Sequence, residues 1–304
     1  MTRSLVVTAD DAGTDPDADR EIAALLAGSP LTAVGVITAH PVHWREQEPQ
    51  PWFAERSAAQ DGRMQDGPTQ DQPSPDEPAP DEPANPGATR AVELFARSAP
   101  DVAPGVHVVL PPHAPEGGFD DVVDRVAAQV DALDRATAVV GSPAPDRLDS
   151  HAGTLYGLEG RSYLAEAIAV CARRGLAFRL PRGLELYGDD DPVLATAAVR
   201  SRHASAVAAA DAAGVRLPRV IATHRGGDAE IRDYGTLRDH YLRLLERLPE
   251  GTSEVFLHPA PDTARLRALS AGWWRKRTWE LRLLGDPVFI REIERQGIDL
   301  VARW

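Results

Sequence analysis

Nine histidines and many carboxylates stand in this chain of 304 residues, and a subset occupies positions where chemistry is expected. The first is Leu5–Val6–Val7–Thr8–Ala9–Asp10–Asp11–Ala12–Gly13, an apolar strand-forming run that ends in two adjacent carboxylates and a glycine. Side chains alternate along a strand, so Asp10 and Asp11 are expected to point to opposite sides and to take different roles. A second reading makes the pair a cap for the helix around Ile22, since carboxylates are favoured at a helix N-terminus. Further along, His107 lies inside the strand-like Gly105–Val106–His107–Val108–Val109–Leu110, where a histidine needs a reason to be. His151, Arg179, His224 and His258 each follow a short apolar segment. An Asp with two His converging on one rim makes an N/O site suited to zinc or a similar divalent ion with a position left for water.

These positions need elements to bring them together. Helical patterns cover about Pro16–Leu26, Ala88–Arg97, Phe119–Leu133, Arg161–Arg174, Pro192–Ala213, Tyr234–Leu248 and Asp286–Gln296. Strand-like runs alternate with them, near eight in all, ending with Ile298–Val301. Such alternation argues for an α/β protein, either a (β/α) barrel-like fold with mainly parallel strands and outer helices or an open doubly wound sheet. No glycine-rich phosphate fingerprint follows any strand, which weakens a nucleotide-binding reading. In a barrel, the polar strand ends share the face on which active sites are built.

Between Glu46 and Pro86 the composition shifts to Pro, Gln, Asp and Glu, with Trp52 and Phe53 as exceptions. Such a segment cannot offset the entropy of ordering it. Residues 46–86 therefore read as a disordered acidic, Pro-rich insertion within a single domain spanning 1–304, because the 45 or so residues before it are too few to form a domain. His40, with His43 and Trp44, falls just before it and is a peripheral substrate-site candidate.

The formal net charge of -13 disfavours nucleic acid and anionic membranes as partners. The local exception, Arg275–Lys276–Arg277 beside Trp273, Trp274 and Trp279, reads as packing plus solvated charge, and Trp273–Trp274 as interhelical or homodimer-interface packing. The single cysteine, Cys171, sits in an apolar run and reads as a core residue, which fits a reducing compartment. With no long apolar stretch, a cytoplasmic protein is the default expectation.

Taken in order, these motifs resemble the YdjC family of carbohydrate deacetylases, which includes chitooligosaccharide deacetylases. The family's Asp-Asp-Phe-Gly is matched by Asp10–Asp11–Ala12–Gly13, its Gly-x-His strand by Gly105–Val106–His107, and its Asp-Ser-His by Asp149–Ser150–His151. Its Arg-x-Pro is matched by Arg179–Leu180–Pro181, its Glu-x-x-x-His-Pro by Glu254–His258–Pro259, and its Arg-x-x-Glu-Leu by Arg277–Glu280–Leu281. The resemblance implies a barrel-like, metal-dependent hydrolase acting on a small acetylated sugar. It implies one divalent ion, zinc or magnesium, on Asp11, His107 and His151, with Asp10 as general base and His258 as general acid. Arg179, His224 and His40 are then candidates for substrate contact, Arg179 alternatively for a bond to a neighbouring carboxylate, and Arg277 with Glu280 for a structural ion pair. The histidines usual after the Asp-Ser-His motif are replaced by Ala152, Gly153, Thr154 and Leu155, which points to another small sugar or amino compound in place of a chitin fragment. Two rival readings from the same residues are a non-catalytic metal- or sugar-binding interaction protein and a metal-dependent hydrolase of another bond. The first predicts loss of Asp10 or His258, and the second more basic residues at the rim.

Overall fold

The computed structural model describes residues 2–39, 85–110, 118–157, 161–186, 194 and 196–304. His40, Trp52, Phe53 and most of the acidic segment lie outside the described residues. Eight strands form one sheet: β1 (Arg3–Ala12), β2 (Ala33–Val36), β3 (Gly105–Val108), β4 (Arg147–Ser150), β5 (Ala177–Phe178), β6 (Ile221–Ala222), β7 (Gly251–Leu257) and β8 (Ile298–Leu300). Their order is β5-β4-β3-β2-β1-β7-β6, with β8 beside the start of β1, and every pairing is parallel. The sheet curls into a half-barrel surrounded by helices. Its edges approach each other: the backbone N–H groups of Phe178, Arg182 and Gly183 donate to the carbonyls of Arg216, Pro218 and Arg219, at 2.9, 2.9 and 3.0 Å. The expected α/β barrel-like fold is the one observed.

Parallel strands need crossovers, and helices supply them. They are α1 (Pro16–Leu26), α2 (Pro86–Ser98), α3 (Phe119–Val140), α4 (Leu164–Arg174), α5 (Ala197–Ala212) and α6 (Tyr234–Arg247), followed by α7 (Ala264–Leu269), α8 (Trp274–Leu284) and α9 (Pro287–Arg295). Helix α1 shows how the sequence sets one. The Asp15 side chain accepts from the Asp17 N–H, Pro16 occupies the first turn, and Ile22 and Ala23 are buried beneath. The core lies between sheet and helices, with Leu5, Val7, Val34, Val106, Val126, Leu133, Leu148, Phe178, Leu237 and Phe289 buried in one cluster. Cys171 is buried there too, as expected.

Because all strands run the same way, their C-terminal ends form one rim. Beside it, the chain leaves β2 and returns at α2 with its two described ends joined. The Asn85 N–H donates to the Thr38 carbonyl at 3.3 Å, and the Asn85 side chain donates to the carbonyls of Gly13 and Ile37 at 3.1 Å each. Asn85 is also the N-cap of α2 and Pro86 lies in its first turn. Asn85 and Pro86, expected within the disordered segment, instead open a helix, because a cap and a proline in the first turn favour it. The two described ends of this segment are thus fixed side by side. Replacing residues 42–82 with a Gly-Ser linker of about eight residues is expected to leave the thermal midpoint unchanged or raised by a few degrees. A lowered midpoint in calorimetry would show that this segment supports the fold.

Candidate metal centre and active site

The rim carries a cleft of about 300 Å³ lined by Asp10, Asp11, His107, His151, His224 and His258, among others. Asp10 and Asp11 both face it, contrary to the expectation from strand alternation. The register between β1 and β2 steps from Ala9↔Val34 to Ala12↔Val36, so β1 carries an extra residue there, and Asp11 has a φ of 65° in the left-handed region. This bulge turns the second carboxylate back toward the first. The Thr14 hydroxyl holds the distorted backbone by donating to the Asp11 carbonyl at 2.7 Å. The capping reading fails at the same point, because the cap of α1 is Asp15.

Three atoms meet beside the bulge. Asp11 Oδ1 lies 3.2 Å from His107 Nε2 and 3.0 Å from His151 Nδ1, and the two ring nitrogens are 3.3 Å apart. Ligands about 2.1 Å from one ion, at angles between octahedral and tetrahedral, are separated by about 3.0–3.4 Å. The donor atoms, one carboxylate oxygen and two imidazole nitrogens, therefore fit a divalent ion in spacing as well as type. A second cluster, Asp10, His107 and Asp149, shares His107. The two are not equivalent, because the Nδ1 side of that ring is committed to Asp149.

Asp149 is the functional residue that sequence reasoning left without a role. It is fully buried, sits opposite His107 in the β3–β4 register, and accepts a hydrogen bond from His107 Nδ1. A carboxylate on the far nitrogen fixes the tautomer that presents Nε2 to a metal. Its position next to Ser150–His151 in the Asp-Ser-His motif was the available signal. Burial lowers the proton affinity of His107, but Asp149 and Asp10 more than reverse this and carry its pKa up to about 10. Burial also raises the pKa of Asp11, and Arg277, His151 and His107 together hold it well below the usual carboxylate range.

Arg179 lines the floor of the cleft, and of its two expected partners, substrate hydroxyls or a neighbouring carboxylate, the structure shows carboxylates. It is 3% exposed and lies beneath, bound through both terminal nitrogens to Asp10 at 2.7 and 2.9 Å, through Nε to Glu254 at 3.0 Å, and 3.0 Å from Asp149 Oδ2. Three carboxylates compete for one guanidinium, so its donors are taken. Gly35 makes room for the arrangement, since a Cβ there would stand 2.7 Å from Asp10 Oδ1.

The opposite wall comes from α8 and the end of β7. His258 is half-buried, and its backbone N–H donates to Glu280 Oε2 at 2.8 Å. Glu280 also accepts from the Tyr241 hydroxyl at 2.8 Å and lies 3.5 Å from Lys276 Nζ. Burial, with Arg277 and Lys276 adding to it and Asp11 and Asp10 opposing, pushes the pKa of His258 down to about 3. The expected ion pair between Arg277 and Glu280 is not formed. Lys276 takes Glu280, four residues on along the same helix face, while Arg277 turns to Asp11 Oδ2 at 2.7 Å. The basic run divides between the two expectations: Arg275 is exposed and solvated, whereas Lys276 is buried. Trp273 lines the cleft, and Trp274 packs against Ala18, Ala260 and Leu266, the interhelical packing expected of the pair. His224 also lines the cleft, its Nδ1 accepting from the Gly226 N–H at 3.1 Å.

The fold and this site define a class: half-barrel proteins with an Asp-His-His centre at the C-terminal rim of the strands. Residues 83–295 match the YdjC-like protein family, and the chain belongs to it. A carbohydrate deacetylase from Geobacillus stearothermophilus is 32% identical over 69 residues, an alignment spanning 22% of this chain and 28% of that protein. Among solved structures, one from Enterococcus faecalis described as a cellobiose-phosphate cleavage protein superimposes with a TM-score of 0.64 at 18% identity. It covers 99% of this chain and 97% of its own. A lactam utilization protein from Thermus thermophilus gives 0.52 at 14% identity, covering 99% and 100%. Both likenesses are likenesses of fold. Family and donor cluster together support a metal-dependent hydrolase of this general type. Among the described residues no helix is long and apolar enough to cross a membrane.

If Asp149 acts by orienting His107, Asp149→Asn is expected to weaken zinc binding by about 10–100-fold with little change in secondary structure. Chelator competition on the purified variant measures this, and unchanged affinity would remove Asp149 from the site.

Proposed function

We propose that this protein hydrolyses the N-acetyl amide of a small carbohydrate or related amino compound, using one divalent ion, zinc or magnesium, held by Asp11, His107 and His151. The observation that carries the reading is the 3.0–3.3 Å triangle of donor atoms in the same cleft as Asp10 and His258. Family membership and the partial match to a carbohydrate deacetylase favour a sugar amide. Trp273, on the cleft wall, offers the kind of flat apolar face on which a sugar ring packs.

The ion supplies polarisation of the amide carbonyl and acidification of water, together worth several kcal/mol in the transition state. The remaining steps belong to the side chains. Asp10 takes the proton of the attacking water. Its carboxylate is oriented by two hydrogen bonds from Arg179, and each oxygen keeps a lone pair for that proton. His258 serves the leaving nitrogen. It rests neutral, because burial disfavours its cation, so the proton it delivers is the one Asp10 has taken from the water, passed to the ring as negative charge develops on the carbonyl oxygen beside it. A proton bound so weakly passes readily to the amine as the C–N bond breaks, giving acetate and free amine. His224, and His40 outside the described residues, are assigned to substrate contact. Arg179 acts through Asp10.

Acetate release from a panel of N-acetylated mono- and disaccharides, including chitooligosaccharides, tests this with zinc, magnesium, manganese or cobalt added. The expected result is metal-dependent release that is lost with bound metal in Asp11→Ala. His258→Ala is expected to keep its metal and lose about 10²–10⁴-fold in kcat. No release from any substrate would overturn the reading, and full activity in either variant would overturn that residue's role.

A further inference from the structure

We propose that Arg277 is a positioning residue that confines Asp11 to one-oxygen coordination and so keeps a place open on the metal for substrate. The inference rests on the metal centre proposed above. Asp11 presents its two oxygens to different partners: Oδ1 to His107 and His151, and Oδ2 to the Arg277 guanidinium at 2.7 Å. A carboxylate left to itself can grip a cation through both oxygens. A charge-assisted hydrogen bond to Oδ2 opposes that mode, because the oxygen must leave its strongest partner to turn inward.

The structure fixes both ends of this contact. On the Asp11 side, the bulge sets the backbone and Thr14 ties down the carbonyl, which leaves side-chain rotation as the remaining freedom. On the Arg277 side, α8 is seated before its side chains reach the site. Asp228 accepts the N–H groups of Arg275 and Lys276 at 3.2 and 2.9 Å, and the Arg277 carbonyl accepts from the Ala260 N–H at 3.2 Å. Ala260 lies two residues beyond His258, so the same helix registers the metal-ligand side and the proposed acid side of the cleft.

Charge makes the arrangement informative. A fixed cation hydrogen-bonded to a metal ligand repels the metal, and within the partly buried cleft this repulsion is not fully screened. A site built only to hold an ion as tightly as possible gains nothing from it. A site that must admit both a water and a carbonyl oxygen gains an open coordination position, because three ligand residues then supply three donor atoms and not four.

The test uses the full chain, stripped of metal and reloaded with cobalt(II), as parent, R277Q, R277M and R277K. Cobalt affinity is measured by chelator competition, the visible absorption band reports coordination number, and a thermal melt checks folding. R277Q is expected to bind cobalt as tightly as the parent or up to about tenfold more tightly. Its visible band is expected to weaken as the second Asp11 oxygen coordinates. R277K, which keeps a cation there, should return the band toward that of the parent, and R277M, which also removes the cation, carries the test if R277Q does not fold. A parent that binds cobalt while the folded variant without the cation, R277Q or R277M, gives the same spectrum would overturn this proposal alone. Looser cobalt binding by R277Q with an unaltered spectrum would do the same, leaving Arg277 as structural support. Failure of the parent itself to bind cobalt would overturn the metal centre, and this inference with it.

Discussion

The arrangement of the site depends on one buried cation, Arg179, placed among three buried carboxylates. Asp10 comes from β1, Asp149 follows from β4 and Glu254 from β7, and Arg179 stands at the end of β5. One side chain thus ties strands from across the curled sheet at the level where the cleft begins. Burial lowers the affinity of Arg179 for its proton, but the three acids overcome this and raise its pKa well above the ordinary value. Glu254 shows the converse, with burial raising its pKa despite Arg179 and the Thr8 hydroxyl at 2.5 Å. Removing one member of such a cluster leaves uncompensated charge in the interior, which is far more costly than the pairing is stabilising.

The surplus of negative charge around Arg179 reaches His107, which Asp149 both orients and electrostatically loads. The opposite wall is organised differently. Tyr241, Lys276 and the His258 backbone share Glu280, so charge there is locally matched, and burial leaves the His258 ring neutral. Two carboxylate systems therefore flank the cleft, one biased toward binding cations and one toward releasing a proton.

Much of this was legible in the sequence because parallel α/β architecture turns chain order into spatial order. Once strands alternate with helices, His107, His151, Arg179, His224 and His258 must share the end of the sheet at which Asp10 and Asp11 close the first strand. What stayed hidden depends on geometry finer than element order. The β1 bulge overrides the alternation that would separate Asp10 from Asp11, and a single residue in the left-handed region is invisible in Asp-Asp-Ala-Gly. Asp149 meets His107 through strand register, which short apolar runs do not specify. Arg277 and Glu280 have helical spacing that suits an ion pair, yet Lys276 takes Glu280 because Arg277 has Asp11 within reach. Arg179 could be read as meeting either sugar hydroxyls or a neighbouring carboxylate, but not as the buried partner of three acids from distant parts of the chain.

The central claim is that Asp11, His107 and His151 hold one divalent ion while Asp149 holds the other face of His107. Anomalous diffraction from a crystal soaked in zinc tests it most directly. The account expects a single peak about 2.0–2.2 Å from Asp11 Oδ1, His107 Nε2 and His151 Nδ1, with His107 Nδ1 still bonded to Asp149. A peak between Asp10 and Asp149 on the other side of the ring, or none in the cleft, would contradict it.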